Sequence, residues 1–204
     1  MLTSSLAIIF DFGGVLMKTL DYGYRHAWDD RLNLPHGSVE RIVHGSQSWR
    51  QAQINQMEID DYWQDIARQL NLDANALTAL QADYFKGDVL DSDLIDLIRS
   101  LKTEGLRIGL LSNDGLPLRE KLHGLGIAEL FDPLIISAEI GVMKPAPEAY
   151  QAVLDILGLS PENVFFVDDM PDNIAGANAV GMKGILYQSG MNLRDLLESH
   201  LRTR

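Results

Sequence analysis

Cysteine is missing from all 204 residues, and cations are scarce: 17 Lys and Arg stand against 29 Asp and Glu, a formal net charge of -12. Without cysteine there is no disulfide, no thiol nucleophile, no cysteine-ligated zinc and no iron–sulfur cluster. The histidines, His26, His36, His44, His123 and His200, lack metal-binding spacing and read as surface or structural residues. A surplus of negative charge repels phosphate backbones and anionic lipids, so neither nucleic acid nor a membrane is expected as a partner. Long apolar runs are missing too. Leu6-Ala7-Ile8-Ile9-Phe10 is too short for the core of a secretory signal, lacks a basic flank and ends in Asp11. No run approaches a bilayer span, and a cytoplasmic protein is expected. What is present is ordinary globular composition, 46% hydrophobic and 23% charged, in a length that fits one core domain with a modest insert.

Five short runs are apolar on consecutive residues: Leu6 to Phe10, Leu106 to Leu111, Leu134 to Ile136, Val164 to Val167 and Gly184 to Tyr187. Strands buried on both faces read this way, as in a parallel sheet. Amphipathic helical patterns run over Ser92 to Thr103, Pro147 to Leu157 and Asn192 to Leu201, and Gly105, Gly158 and Gly181 stand as stop signals. The expectation is an α/β fold, a doubly wound parallel sheet of Rossmann-like type covered by helices. From Lys18 to Lys86 the alternation fails and the patterns are helical. The core is therefore expected over 1–17 and 87–204, with a helical cap over 18–86 inserted after the first strand.

Ligands of an open parallel sheet bind at the carboxyl ends of its strands. The first run ends in Asp11-Phe12-Gly13-Gly14-Val15-Leu16, the second in Leu111-Ser112-Asn113-Asp114 and the fourth in Asp168-Asp169; Gly141-Val142-Met143-Lys144-Pro145 lies between the third and fourth. Singly, each acid reads as a helix cap or turn residue and Lys144 as a loop lysine. Together they are a chemical set. Carboxylates sharing one cleft repel unless a cation joins them, and hard oxygen ligands without His or Cys select magnesium. A carboxylate facing an ammonium and a hydroxyl suits attack on a phosphoryl group, with Asp11 forming an aspartyl-phosphate that water then hydrolyses.

These four segments, in this order and spacing, resemble the haloacid dehalogenase-like hydrolase superfamily. Its first motif is Asp-x-Asp-Gly-(Thr or Val)-(Leu or Val), and Asp11 to Leu16 stands in its place. Its second is a Ser or Thr closing an apolar strand, here Ser112. Its third is a Lys, here Lys144. Its fourth is an acidic pair, here Asp168-Asp169. The likeness runs from Ile8 to about Met182 and is nearest the branch with a small helical cap, which holds sugar-phosphate phosphatases and the amino-terminal domain of soluble epoxide hydrolase. It implies Asp11 as nucleophile and Asp11, the Gly13 carbonyl and Asp169 as magnesium ligands, with Asp168 a ligand or anchor. It implies Ser112 and Asn113 at the phosphoryl group, Lys144 bridging Asp11 and a phosphoryl oxygen, and Asn173 orienting the metal's surroundings. The substrate would be a small phosphorylated metabolite, and the protein a monomer or homodimer.

One position departs from the pattern. The phosphatases' second Asp, which protonates the leaving group, is Gly13 here. General acid catalysis is worth about 10²–10⁴-fold. The expectation is therefore either a substrate with a good leaving group or a donor from the cap or the substrate, with His26 and His44 the histidines to test. Two other readings stand beside it: 2-haloacid dehalogenation, which lacks that second Asp and needs no metal, and a catalytically weak relative that binds a phosphorylated ligand or a partner protein. The Asp168-Asp169 pair argues against the dehalogenase, because a metal-free site gains nothing from two further negative charges. For substrate contacts, Arg25 and Arg50 are the cap candidates. Trp28, Trp49, Tyr62 and Trp63 are expected to fill the insert's own core.

Overall fold

The computed structural model describes residues 6–202, with side chains to residue 197. The chain runs β1 (Ala7–Phe10), β2 (Met17–Thr19), α1 (Gly23–Arg31), α2 (Ser38–Gly45), α3 (Gln47–Ala52), α4 (Ile59–Leu70), α5 (Ala74–Tyr84), β3 (Asp88–Leu90), α6 (Ser92–Thr103) and β4 (Arg107–Ser112). It continues through α7 (Leu118–Gly124), β5 (Leu134–Ile136), α8 (Ser137–Ile140), α9 (Pro147–Leu157), β6 (Val164–Asp168), α10 (Pro171–Ala179), β7 (Lys183–Leu186) and α11 (Leu193–Arg202).

Five strands form one parallel sheet in the order β5-β4-β1-β6-β7. Successive side chains of a strand face opposite sides, and here both sides are dry. Ile8 and Phe10 of β1 join Leu110, Phe165 and Val167 in the cluster that receives Leu94, Ile98 and Leu122 of α6 and α7. Ala7 and Ile9 join Leu111, Val164 and Phe166 against Tyr150, Val153 and Ala177 of α9 and α10. This double burial explains why the runs are apolar at every position rather than at alternate ones.

β1 lies at the centre, with β4 and β5 to one side and β6 and β7 to the other. The direction of winding reverses there, and the loops leaving β1, β4 and β6 part to leave a crevice. Phe10 pairs with Leu110 and with Val167, so Asp11 and Asp168 leave neighbouring strands side by side.

The insert carries α1 to α5 around a cluster of its own, with Trp28, Val39, Val43, Tyr62, Ile66, Leu80 and Tyr84 buried. A feature absent from the sequence expectation joins it to the core. β2 and β3 form a separate antiparallel ribbon, with Met17 opposite Leu90 and Thr19 opposite Asp88, at the two chain crossings. The Gly87 carbonyl accepts from the N–H groups of Leu20 and Asp21. β2 straddles the expected boundary at 17/18 and β3 begins just past the one at 86/87, so entry to and exit from the insert are stitched to one another.

Candidate active site

Asp11, Asp168 and Asp169 each bring a carboxylate oxygen within 4.8 Å of the others. Lys144 reaches into this group from the loop before α9. Its Nζ lies 2.9 Å from Asp11 Oδ1 and 2.7 Å from Asp168 Oδ2, and its side chain is fully buried. The loop is held by Asn113, whose Nδ2 donates to the Lys144 carbonyl and whose Oδ1 accepts from the Lys144 N–H, both at 2.8 Å. The Asn113 side-chain amide thus grips the backbone of the lysine. Ser112, buried at the end of β4, sits one residue before it.

Asp168 is wholly enclosed. Besides Lys144, it accepts from the Met170 N–H at 2.8 Å and from Asn173 Nδ2 at 3.0 and 3.1 Å. Asn173 is held in turn by Tyr150, whose hydroxyl donates to its carbonyl. Asp169 is the partly exposed member of the trio. Burial, with Asp168 beside it, raises its pKa. Burial likewise pushes Asp11 up to about 7; Lys144 works against that and Asp168 adds to it. Fully ionised, three carboxylates and one ammonium would leave two negative charges in one pocket. That donor set, all hard oxygen, fits a divalent cation of the magnesium type.

The two glycines after Asp11 differ. A Cβ at Gly13 would meet nothing within 4 Å, so this position opens into the cleft. Gly14 has φ +76°, and a Cβ there would lie 2.1 Å from Asp169 Oδ2. Glycine at 14 is what lets the acidic pair approach the first loop.

Above Phe12, Gly13 and Gly14 is a cleft of about 260 Å³ that Tyr22, Arg25, His44, Asp114 and Lys121 also line. Arg25 is a buried strut. Its Nη1 bonds Glu40 at 2.6 Å and its Nη2 bonds Asp88 at 2.8 Å, while its guanidinium covers the Tyr84 ring at 4.5 Å. Its charge is spent on the insert and the ribbon. Arg50 is exposed on α3 and does not line this cleft. Of the histidines, His26 stacks on His36 at 4.3 Å, and His123 is exposed beside Glu129. His44 stands in the cleft wall. Its packing there, with Arg25 and Lys121 nearby, lowers its pKa to about 4, which favours the neutral ring. The side chain of His200 lies outside the described residues. Among the aromatic residues, Trp28 and Tyr62 are buried in the insert's core, whereas Trp49 and Trp63 are only partly covered.

One further carboxyl belongs to this site without any motif in the sequence to mark it. Asp114 follows Ser112-Asn113 on the loop after β4 and lines the cleft with Gly13. Its Oδ1 accepts from the Gly115 N–H at 2.7 Å, and burial raises its pKa to about 6 against the opposing pull of Gly115 and Lys121. A carboxyl that titrates near neutrality is suited to proton transfer.

Comparison with known proteins adds an independent line. A family model described as haloacid dehalogenase-like hydrolase matches residues 6–181. Phosphatase MT3486 of Mycobacterium tuberculosis is 29% identical over 202 residues, covering 93% of this chain and 90% of its own. The sesquiterpene phosphatase astK of Aspergillus oryzae is 30% identical over 186 residues, 91% of each chain. A solved enzyme of Bacteroides thetaiotaomicron superposes with a TM-score of 0.76 at 20% identity, over 94% of this chain and 98% of that one, which is a likeness of fold. Among the described residues, no helix is long and apolar enough to cross a membrane.

Proposed function

Because the chain belongs to the haloacid dehalogenase-like hydrolases, we propose that it is a magnesium-dependent phosphatase that cleaves a small phosphomonoester by way of an aspartyl-phosphate on Asp11. The observation that carries this reading is the convergence of Asp11, Asp168 and Asp169 around Lys144 at the ends of β1 and β6. One relative is named a sesquiterpene phosphatase, and the reading covers monoesters of apolar as well as of polar alcohols.

Asp11, the Gly13 carbonyl and Asp169 would hold the metal, with Asp168 anchoring Lys144. Magnesium bound there neutralises the facing carboxylates and stabilises charge on the phosphoryl oxygens. The chain does the rest. Asp11 Oδ attacks phosphorus in line with the departing oxygen. Lys144, fixed by Asn113 and Asp168, and the Ser112 hydroxyl meet the phosphoryl oxygens as their charge redistributes. The departing oxygen takes its proton from Asp114, which stands on the core loop rather than in the cap. Water then attacks phosphorus and gives a proton back to Asp114, and Asp11 is released with orthophosphate.

A phosphate-release screen over many phosphomonoesters, run beside Asp11→Asn and with a chelator, tests this. Release that both treatments abolish is expected. Release that survives Asp11→Asn overturns the nucleophile. Halide release from a 2-haloacid that persists under chelation, without phosphate release, makes the chain a dehalogenase.

A further inference from the structure

A cavity of about 500 Å³ lies between the insert and the core, walled by Trp49, Tyr62, Trp63 and Phe85 on one side and Pro117 and Leu118 on the other. That is within the roughly 300–1,000 Å³ of pockets that enclose ligands of moderate size. The rings form a continuous wall. Their centroids are 5.1 Å apart for Trp49 and Tyr62, 5.0 Å for Tyr62 and Trp63, and 6.4 Å, edge on, for Trp63 and Phe85. The chamber opens onto the cleft over Gly13, since His44, Phe85, Asp114 and Lys121 line both and form a neck. Charged and titratable groups gather at this neck. Beyond it, Asp60 and Gln81 are the polar members of a wall otherwise made of ring faces and aliphatic carbon.

A polyhydroxylated leaving group would lose its water against that wall with few partners in return, at a cost for each hydroxyl left unpaired. An apolar one would gain from every carbon it buries. Phe85, 40% exposed, is a large apolar ring left open towards this space.

We infer that the ester oxygen of the substrate sits at the neck and that its leaving group is a bulky apolar alcohol, aryl or long-chain aliphatic, seated in the aromatic chamber. This rests on the phosphatase reading and narrows it to a substrate class. Straight-chain alkyl monophosphates from propyl to decyl form the test, because leaving-group acidity is constant along the series and only buried carbon changes. In wild type, kcat/KM should rise about threefold to fourfold per methylene until the chamber fills, as transfer of a methylene from water predicts. Decyl phosphate and 1-naphthyl phosphate should both exceed a hexose phosphate by more than tenfold. Trp63→Ala should flatten the alkyl series. A flat wild-type series, or a hexose phosphate turned over as well as the decyl ester, overturns the inference and leaves the phosphatase reading standing. Phosphate release from none of the esters, acetyl phosphate included, overturns both.

Discussion

A side chain added at position 13 would enter open cleft space, whereas one at 14 would strike the Asp169 carboxylate. The first glycine is therefore free to be replaced, and that permits a clean test of where the proton comes from. Asp114→Asn should slow an alkyl phosphate about 10²-fold more than nitrophenyl phosphate, whose leaving group needs no proton. Adding Gly13→Asp to that variant should restore most of the alkyl rate, since an acid at 13 would stand in the same open cleft. If the alkyl and nitrophenyl rates fall equally, Asp114 is not the donor. The same residue should act against stability. Its folded pKa of about 6 lies above the ordinary 3.8, so the folded state binds more protons between those values and stability falls as pH rises through them. Asp114→Asn should accordingly be more stable than wild type at pH 8, by about 1–2 kcal/mol in a cleft open to water, with the gap closing near pH 3. Denaturant melts at the two pH values check this. No gain at pH 8 would mean that the carboxylate is well solvated.

Secondary-structure elements are legible where burial leaves an apolar run or stripe, as it does even in three-residue β5. Ser92–Thr103 and Pro147–Leu157 carry enough turns for an apolar stripe to show, and the helices occupy those residues. The ribbon strands have three residues each, too few for a period, and Val89 faces water at 47% exposure, so neither reads as buried strand. Only their pairing across a long stretch of chain makes them strands. The site divides in the same way. Strand ends placed Asp11, Ser112 and Asp168, because register is a property of the sheet. The grip of Asn113 on Lys144 and the engagement of Arg25 by Glu40 and Asp88 depend on which loops meet, and local pattern does not encode that. Arg25 is thus an element-scale strut between α1, α2 and β3. Arg25→Met should cost about 2 kcal/mol, because it leaves the partly covered Asp88 and Glu40 without their cation. A loss below about 0.5 kcal/mol in a denaturant melt would class the cluster with ordinary surface pairs.

Over the whole molecule, the surplus of acid and the placement of the acids have different consequences. A net charge of -12 keeps polyanions away, yet a phosphate ester must still be admitted. The parallel sheet resolves this by concentrating three carboxylates around one lysine at its central crevice, where a bound cation would turn the local charge towards an anionic substrate. The insert then places an aromatic chamber next to that crevice. If Asp11 attacks phosphorus, the covalent intermediate can be trapped. The enzyme is mixed with magnesium and a substrate from the screen, quenched in borohydride and digested, and its peptides are weighed. Homoserine is expected at position 11, formed by reduction of the acyl phosphate, and none when the substrate or the magnesium is withheld. Phosphate release with an unmodified aspartate at position 11, or with the reduced residue elsewhere, would contradict attack by Asp11.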